Sequence, residues 1–456
     1  MKITLVNPHY EEPRVLRFLG LPSIPLGFGC VAASLECAGH DVEVIDAFGE
    51  KLTTERTIER LREAAPDVTG ISCVTCNVDI GRRIAEAAKQ FSMVVMGGTH
   101  PSLIPESVAD ACDVVVIGEG EESFPELLSG KPRRAIRGIA FREGGHLVGT
   151  PSRPQIADLD SVPFPARHLF PMDRYKQFGE MSLATMMTSR GCPMRCSYCT
   201  ISRLYPSWRG RSPENVVDEM ELLIRDYHVK GISLVDEDFL YDLDRAEAIC
   251  ERILTRRLKF WWGMQTRADR LPDLSFLRRM KKAGCEFALF GIESVSEQTM
   301  KDLNRHLSIA AIRRAFRVCR DAGMRTAGSA ILGFPGETEA DALATVAFVQ
   351  ELDPDYVFFG VPTPFPGTKF HLDCQANGWI KETDLLKYTI MSPIVETQSI
   401  SLVDAQRILH RAYRSFYFRP WYLIRRLCHE LSRLDWHTLC GFMKWSLASF
   451  FDTHRW

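Results

Sequence analysis

The sequence predicts an α/β fold that begins with a doubly wound parallel sheet, continues as a partial (β/α)6 barrel and ends in a helical region. Short runs of Val, Ile and Leu alternate with helical patterns up to about residue 130. The alternation resumes near residue 183 with a longer repeat, and the last part of the chain has helical patterns rich in aromatic residues. Strands that alternate with helices form a parallel sheet covered by helices.

The composition is that of an ordinary soluble globular protein, long enough for two or three domains. Of its 456 residues, 45% are hydrophobic and 25% are charged. A net charge of -2 gives no electrostatic reason to expect nucleic acid as a partner. Fourteen cysteines lack regular spacing, and the first apolar run is too short for a secretory signal. These features favour a reducing cytoplasm over a disulfide framework.

Five apolar runs predict the strands of a Rossmann-like domain at residues 1–135. The runs are 3–6, 42–45, 68–72, 93–96 and 114–117. Ligands of such sheets bind beyond the carboxyl ends of the strands. The candidate binding residues at those ends are Ser72, Thr75, Gly97, Gly98, Thr99, His100, Gly118, Glu119 and Gly120. Glycines at this edge let a broad planar ligand approach the backbone, and they are equally compatible with tight turns.

A second set of strands predicts the barrel, which we place at residues 181–385. A basic, proline-rich segment at 131–181 has a hairpin around Gly144 and Gly145, and we interpret 136–180 as an ordered linker to the barrel. The strand patterns are 183–188, 232–235, 260–264, 287–291, 327–332 and 356–359, with amphipathic helices such as 213–228 and 309–322 between them. Six βα units make an incomplete TIM-type barrel with an open side wide enough for a large substrate.

Three cysteines follow the first barrel strand with the spacing C-x3-C-x2-C: Cys192, Cys196 and Cys199. Three thiolates on one short loop can hold three irons of a [4Fe-4S] cluster and leave the fourth iron open to a small molecule. A zinc site or buried free thiols are the alternatives. Structural zinc sites use four closed ligands, and no fourth ligand lies nearby in the sequence, so the spacing favours the cluster.

This cysteine spacing resembles that of the radical S-adenosylmethionine (SAM) superfamily, and further similarity extends over residues 183–370. In that superfamily the open iron binds the methionine end of SAM and reduces its sulfonium, which releases a deoxyadenosyl radical. The acidic triplet 236–238 stands where the family holds the amino group of SAM, although it departs from the common Gly-Gly-Glu form. The resemblance implies that the SAM contacts are Tyr198, Asp236, Glu237, Glu293, Ser294, Ile331 and Gly333.

The first domain resembles the cobalamin-binding domain that precedes many radical SAM domains. The similar segments are 25–27, 38–40, 97–101 and 118–121. The resemblance implies that the strand-end residues named above bind cobalamin. The Asp-x-His-x-x-Gly signature, which supplies a histidine beneath the cobalt in other cobalamin proteins, is absent. We therefore expect none of His9, His40 and His100 to bind cobalt.

The C-terminal region, residues 386–456, is predicted to form a helical cap. From Tyr413 to Trp456 it contains twelve aromatic residues, and residues 401–456 hold nine Lys or Arg against four Asp or Glu. Such a segment either packs over the barrel mouth or lies on a membrane surface, and it lacks an uncharged run long enough to span a bilayer.

The resemblance implies a cytoplasmic enzyme that uses a [4Fe-4S] cluster, SAM and cobalamin. The leading expectation is methyl transfer to an unactivated carbon of a small or amphiphilic substrate, such as a lipid, isoprenoid or tetrapyrrole. An electron donor such as flavodoxin or ferredoxin is implied, and the C-terminal region allows peripheral membrane contact. The alternative is an oxidative cyclisation or rearrangement, as in the anaerobic magnesium-protoporphyrin monomethyl ester cyclases. A more distant alternative is a cobalamin or iron-sulfur sensor without turnover. No catalytic side chain is assigned.

Overall fold

The computed structural model describes residues 1–10, 23–175 and 183–425, and the structural statements below concern these residues. The N-terminal domain is built on one sheet. Its strands are β1 (Lys2–Asn7), β2 (Asp41–Asp46), β3 (Val68–Ser72), β4 (Met93–Gly97), β5 (Val114–Val116), β6 (Ile139–Glu143) and β7 (His146–Gly149). Their order is β2-β1-β3-β4-β5-β6-β7, and the first five are parallel. The five predicted strands are therefore confirmed.

The predicted hairpin also exists, but it belongs to this sheet. Gly144 and Gly145 connect β6 to β7 with φ of 58° and 83°, and such positive values suit the tight turns that join two antiparallel strands. β6 pairs antiparallel with β5 through Val115 and Ala140. The sheet consequently extends to Gly149, beyond the expected domain boundary at residue 135.

Helices cover both faces of the sheet, as expected of a doubly wound domain. They are α1 (Leu26–Cys37), α2 (Ala47–Glu50), α3 (Thr54–Ala64), α4 (Val78–Ala88), α5 (Thr99–Leu103) and α6 (Gly120–Leu128). On one face Leu5 belongs to a buried apolar cluster with Phe28. On the other face Val6 belongs to a separate cluster with Ile84. Burial on both faces explains why β4 and β5 are continuous apolar runs.

The second sheet is the predicted half-barrel. Its strands are β8 (Leu183–Met186), β11 (Gly231–Leu234), β12 (Trp261–Thr266), β13 (Cys285–Glu293), β14 (Arg325–Ile331) and β15 (Tyr356–Gly360), and a small antiparallel pair, β9 (Ser189–Arg190) and β10 (Arg209–Gly210), follows β8. All six strands are parallel and lie in chain order from β8 to β15. No pairing between β15 and β8 closes the sheet in the described part of the chain.

Helices of the barrel lie between its strands. They are α7 (Ile201–Leu204), α8 (Pro213–Asp226), α9 (Leu243–Thr255), α10 (Leu274–Lys282), α11 (Glu297–Asp302), α12 (Ile309–Asp321), α13 (Glu339–Leu352) and α14 (Lys369–Ala376). α8 and α12 end within two residues of their predicted ends. Each begins at a serine whose hydroxyl accepts a hydrogen bond from the first helical turn, Ser212 for α8 and Ser308 for α12.

The described part of the C-terminal region contains one long helix, α15 (Leu402–Tyr417). The hydroxyls of Tyr413 and Tyr417 hydrogen-bond the backbone N–H and C=O of Phe359 and Val357 in β15. These phenols take the place of a further strand at the edge of the sheet. Within the described residues, the cap therefore lies along β15, and its continuation at 426–456 is outside them. In the part of the chain that the structure describes, no helix has the length and apolar character needed to cross a membrane.

Candidate active site at the carboxyl ends of the two sheets

The three cysteines lie on a loop held by backbone hydrogen bonds from three directions. The Cys192 N–H donates to the carbonyl of Tyr205 at 3.1 Å, and the Ser197 N–H donates to the carbonyl of Leu303 at 3.0 Å. The Ser197 carbonyl accepts from the N–H of Phe370 at 2.9 Å. Residues from three different parts of the barrel thus fix the loop before any cofactor is bound.

Gly191 allows the chain to enter this loop. Its φ is +86°, and a Cβ at this position would lie 2.2 Å from the carbonyl oxygen of Ser207. Any other residue would force two backbone segments apart. Glycine is therefore required immediately before Cys192.

The three thiols suit a metal cluster. Cys196 is buried, and Cys192 and Cys199 are partly exposed; none forms a disulfide. Burial raises the pKa of the Cys199 thiol to about 11 and raises that of Cys192, and neighbouring thiols of the same loop add to both rises. Bound iron would displace these protons and hold the sulfurs as thiolates. No group of three or more His, Cys, Asp or Glu side chains among the described residues is arranged to hold a single metal ion.

Asp236, a predicted SAM contact, lies in the interior with its carboxylate hydrogen-bonded to the segment after β8. Its side chain is fully buried, and its carboxylate accepts hydrogen bonds from the Thr188 N–H at 2.6 Å, the Ser189 hydroxyl at 2.8 Å and the Thr188 hydroxyl. Asp236 stays a predicted SAM contact, and these hydrogen bonds give it a further role within the protein. It fixes the end of β8 that leads into the cysteine loop.

Glu237, the next residue, has the opposite properties. Its side chain is partly exposed, and Oε2 is a buried oxygen without a hydrogen-bond partner. Burial raises the pKa of this carboxyl to about 7, and the charge of Asp236 adds to the rise, while a hydrogen bond from the backbone of Gly191 opposes it. An unpaired buried oxygen costs about 1–3 kcal/mol. A cationic ligand beside the cysteine loop would remove that cost.

Glu293 ends β13 in an unusual conformation. Its φ is 62°, and the register with β14 shifts between Gly291 and Glu293, as in a β-bulge. Such irregularities redirect a side chain at the end of a strand. The carboxylate lies 3.4 Å from the guanidinium of Arg305 and hydrogen-bonds the hydroxyl of Tyr198. The Tyr198 ring packs on Phe334 with a centroid distance of 5.9 Å.

Ser294, a predicted SAM contact, links two loops of the barrel. It is fully buried, and its hydroxyl donates to Glu337 Oε1 at 2.5 Å. The other oxygen of Glu337 accepts from the N–H groups of Gly333 and Phe334 at 3.1 Å each. The carboxylate of Glu337 thus joins the end of β13 to the loop after β14. Ile331, at the end of β14, is partly buried against the apolar cluster that contains Phe334.

Glycines at the carboxyl edge of the first sheet have two different roles. Gly98 has a φ of +99°, and a Cβ there would lie 2.5 Å from the carbonyl oxygen of Cys73, so a tight turn requires this glycine. Gly118 has a φ of +82°, but no atom lies within 4 Å of a Cβ built on it. Open space next to the backbone is what the approach of a planar ligand needs. Ser72, Gly97, Thr99 and Gly120 are also partly exposed at this edge.

His100 and Thr75 are buried beneath that edge. His100 is 2% exposed; its Nδ1 lies 3.2 Å from the Thr75 hydroxyl and its Nε2 lies 3.2 Å from the Ser107 hydroxyl. Burial lowers the pKa of the imidazole, which favours the neutral ring that can donate at one nitrogen and accept at the other. Both side chains are paired within the protein, and their contact with cobalamin stays a prediction. His40 precedes β2 and lies at the opposite edge of the sheet.

Glu119 joins the two domains. Its Oε1 lies 3.0 Å from Arg190 Nη1, its Oε2 lies 3.0 Å from Arg209 Nη1, and it accepts from the Ile156 N–H at 2.7 Å. Arg190 also pairs with Glu121 at 2.7 Å. These partners engage both carboxylate oxygens of Glu119, whose contact with cobalamin stays a prediction. Arg190 stands two residues before Cys192, so the network ties the loop after β5 to the cysteine loop.

The carboxyl ends of the two sheets face a common region. α5, which follows β4, contacts α7, which follows the cysteine loop. The turn Thr75–Asn77 after β3 contacts the turn Leu385–Lys387 after β15. Leu103 also lies against Gly367, in the loop after β15. The loops at the two sets of strand ends consequently contact each other at the domain interface.

Comparison with known proteins agrees with this arrangement. The model of the radical SAM superfamily matches residues 186–349, and the model of the B12 binding domain matches residues 15–128. An uncharacterized methyltransferase of Pyrococcus horikoshii is 34% identical over 436 residues, which cover 93% of this chain and 94% of that protein. The chain belongs to the radical SAM superfamily and carries a B12-binding domain. The expected cofactors, a [4Fe-4S] cluster, SAM and cobalamin, follow from this membership.

Two further proteins are similar over most of the chain. The anaerobic magnesium-protoporphyrin IX monomethyl ester cyclase of Cereibacter sphaeroides is 27% identical to this chain. The alignment covers 92% of this chain and 72% of the cyclase. The structure of the radical SAM methyltransferase TsrM from Kitasatospora setae, with cobalamin and a [4Fe-4S] cluster bound, aligns with a TM-score of 0.69 at 20% identity. The alignment covers 84% of this chain and 76% of TsrM, and it shows that the two share a fold.

Several residues of this radical SAM protein's site were not predicted from the sequence. Arg190 and Arg209 link the domains, Glu337 organises the loop after β14, and Arg305 contacts the cysteine loop. Arg267, at the end of β12, is buried with its Nη1 unpaired. Arginines in turns are usually solvated, so the sequence alone does not distinguish these buried arginines from the exposed arginines of the chain. The role of Glu337 depends on contacts that join the ends of two strands.

Proposed function

We propose that this protein transfers a methyl group from cobalamin to an unactivated carbon of a small or amphiphilic substrate. The observation that carries the proposal is the common region bordered by the carboxyl ends of both sheets, with Glu119 and Arg190 paired across it at 3.0 Å. When bound, the cluster and SAM supply a deoxyadenosyl radical, and cobalamin supplies the methyl group. One substrate meets both only where the two sites share a space, and such positioning is a large part of catalysis.

In the barrel, Cys192, Cys196 and Cys199 hold the cluster in this proposal. Glu237 accepts the ammonium group of SAM, because its Oε2 is an unpaired buried oxygen beside the cysteine loop. Arg267 is 4% exposed, and its unpaired Nη1 offers a charged donor for the carboxylate of the same ligand. Its charge acts on the thiol of Cys192, which places it near the cysteine loop.

The remaining proposed SAM contacts lie where β13 and β14 end. Tyr198 and Ile331 belong to the apolar group around Phe334 and offer a surface to the adenine ring. Gly333 brings the backbone of the loop after β14 close to the same ring. Glu293 holds the ribose side, because its carboxylate is kept near the cysteine loop by Arg305.

In the first domain, the proposed cobalamin contacts are the partly exposed residues of the strand ends. They are Ser72, Gly97, Gly98, Thr99, Gly118 and Gly120. Gly118 is the main support, because open space lies beside its backbone. Neither ring nitrogen of His100 is free to bind cobalt in this arrangement, since both are engaged by hydroxyls.

Cyclisation is the second candidate function, because one similar protein is a magnesium-protoporphyrin cyclase. Methyl transfer is favoured because the relative with 34% identity is named a methyltransferase and is matched over 94% of its length. The open side of the half-barrel supports a substrate as large as a lipid, isoprenoid or tetrapyrrole. A flavodoxin or ferredoxin is the proposed class of electron donor, and membrane contact through the C-terminal region remains part of the proposal.

The test uses anaerobically reconstituted protein, a low-potential reductant and SAM with a deuterated methyl group, incubated with cell extract. We expect 5'-deoxyadenosine and a product that carries the deuterated methyl. The Cys196→Ala protein should form neither. A new dehydrogenated product without the label would favour the cyclase, and the absence of 5'-deoxyadenosine from the wild-type reaction would contradict both.

A further inference from the structure

Arg305 contacts the cysteine loop from a segment that the sequence motifs do not include. It follows α11, and its Nη1 donates toward the Sγ of Cys196 at 3.9 Å. Cys196 is the most buried of the three thiols, at 5% exposure. The side chain of Arg305 is itself only 12% exposed. A guanidinium therefore lies against one of the proposed cluster ligands, away from bulk water.

The protein holds this guanidinium in place from several sides. Its Nη2 donates to the Gly291 carbonyl at 3.2 Å and lies 3.4 Å from the carboxylate of Glu293. The Arg305 N–H donates to the carbonyl of Met300 at 2.8 Å. The preceding residue, Asn304, donates its side-chain amide to the Arg195 carbonyl at 2.9 Å. The turn after α11 is consequently attached to the cysteine loop next to Cys196.

A guanidinium next to a cluster ligand is expected to raise the reduction potential of the cluster. Arginine stays charged in proteins. Reduction adds one negative charge to a [4Fe-4S] cluster, so a nearby cation and an N–H donor to sulfur stabilise the reduced form more than the oxidised form. Hydrogen bonds to the sulfurs and burial are among the main determinants of the reduction potential. Screening is weak because the contact is buried.

We propose that Arg305 raises the reduction potential of the cluster through its contact with Cys196 and so makes the electron transfer that precedes SAM cleavage easier. The inference rests on the proposed cluster site. In the step concerned, the oxidised cluster accepts one electron from a one-electron donor, dithionite in the assay or an electron-transfer protein in the cell, and no bond or proton is exchanged. Arg305 is a positioning residue in this account, because it acts through Cys196.

Arg305 also forms an ion pair with Glu293. A loss of activity alone would therefore not show whether Arg305 affects the reduction potential of the cluster or the fold. Three variants make the separation. Arg305→Met removes the charge and the donor. Arg305→Lys keeps the charge and loses the planar fork. Arg195→Met removes an exposed charge from the cysteine loop itself, next to Cys196, and serves as the matched control.

The experiment is a dithionite titration followed by EPR of the reduced cluster, without SAM, with iron content measured in each sample. We expect Arg305→Met to reduce the equilibrium constant for cluster reduction by about tenfold, a shift of about 59 mV to lower potential for one electron. Arg305→Lys should fall between it and the wild type, and Arg195→Met should match the wild type.

Equal potentials in the wild type and Arg305→Met at equal iron content would overturn the inference. If Arg305→Met does not retain a cluster, Arg305→Lys decides: a lowered potential supports tuning, and an unchanged one assigns Arg305 a purely structural role. A wild-type protein without the signal of a [4Fe-4S] cluster would instead contradict the proposed function.

Discussion

Arg190 places its two terminal nitrogens on two glutamates of the other domain, with Nη1 3.0 Å from Glu119 and Nη2 2.7 Å from Glu121. All three side chains are largely buried, at 14% exposure for Arg190 and 6% for each glutamate. Glu119 follows β5 of the B12-binding domain, and Arg190 precedes the cysteines of the radical SAM domain. The proposed sites of the two cofactors are thus joined by a buried ionic network.

Arg190→Met should destabilise the protein strongly. Removing one partner of a buried ion pair leaves an uncompensated charge, which typically costs about 3–5 kcal/mol. The measurement is the urea midpoint of unfolding for wild type and variant under the same conditions. Arg134→Met is the matched control, because Arg134 pairs with Glu143 at the surface, with 68% and 50% exposure, and its loss should leave the midpoint unchanged. Equal midpoints for Arg190→Met and the wild type would show that the network is dispensable.

Glu237→Gln should weaken SAM binding. Hydrogen bonds to charged groups contribute about 1.5–3 kcal/mol, so the dissociation constant should rise by about tenfold or more. Equilibrium binding of SAM to anaerobically reconstituted protein measures this. Glu297→Gln, at an exposed acidic position at the start of α11, is the control and should bind normally. Normal SAM affinity in Glu237→Gln would remove this residue from the proposed site.

The same carboxyl predicts a pH dependence. Its pKa is raised to about 7 in the folded protein, so it is mostly protonated below that pH and ionised above it. An ammonium ligand needs the ionised form, and SAM affinity should therefore increase as pH rises from about 6 to about 8. In the absence of SAM, this raised pKa makes the stability contribution of Glu237 fall as pH rises from its unfolded value toward 7. A SAM affinity that depends equally on pH in the wild type and in Glu237→Gln would contradict the assignment.

Two glycines at one edge of the first sheet should respond differently to alanine. Gly98→Ala should destabilise the fold severely, because its Cβ would lie 2.5 Å from a backbone oxygen. Gly118→Ala has open space around its Cβ and should cost only the backbone strain of a positive φ, about 1–3 kcal/mol. Thermal unfolding measures both effects. Only Gly118→Ala should stay folded, and it should bind cobalamin less tightly. The absorption spectrum of cobalamin measures the binding. An unchanged cobalamin affinity would show that the ligand does not lie against this turn.

The local sequence pattern was sufficient to predict the strands and the cysteine loop. The apolar run 93–96 predicted β4, because a strand buried on both faces is apolar along its length. The spacing of Cys192, Cys196 and Cys199 predicted a shared ligand because three thiols on one short loop are close together whatever the rest of the chain does. Both inferences depend on residues that are neighbours in sequence.

Side-chain roles set by distant partners could not be predicted in this way. Asp236 and Glu237 are adjacent acidic residues with different partners. Asp236 accepts hydrogen bonds from Thr188 and Ser189, whereas Glu237 has an unpaired oxygen. Glu119 is predicted to be a ligand residue because it follows a strand, and its partner Arg190 lies 71 positions later. Which charged group becomes buried against which is decided by packing of the two domains, and periodicity carries no information about that choice.

The central claim, that the cluster and cobalamin open onto one space, is tested most directly by EPR on protein that holds both. The paramagnetic cob(II)alamin signal is recorded with the cluster oxidised and then reduced. We predict that reduction of the cluster makes the cob(II)alamin signal relax faster and saturate at higher microwave power, and that Cys196→Ala protein loaded with cobalamin shows no such change. Identical saturation of the cob(II)alamin signal with the cluster oxidised and reduced would contradict the claim.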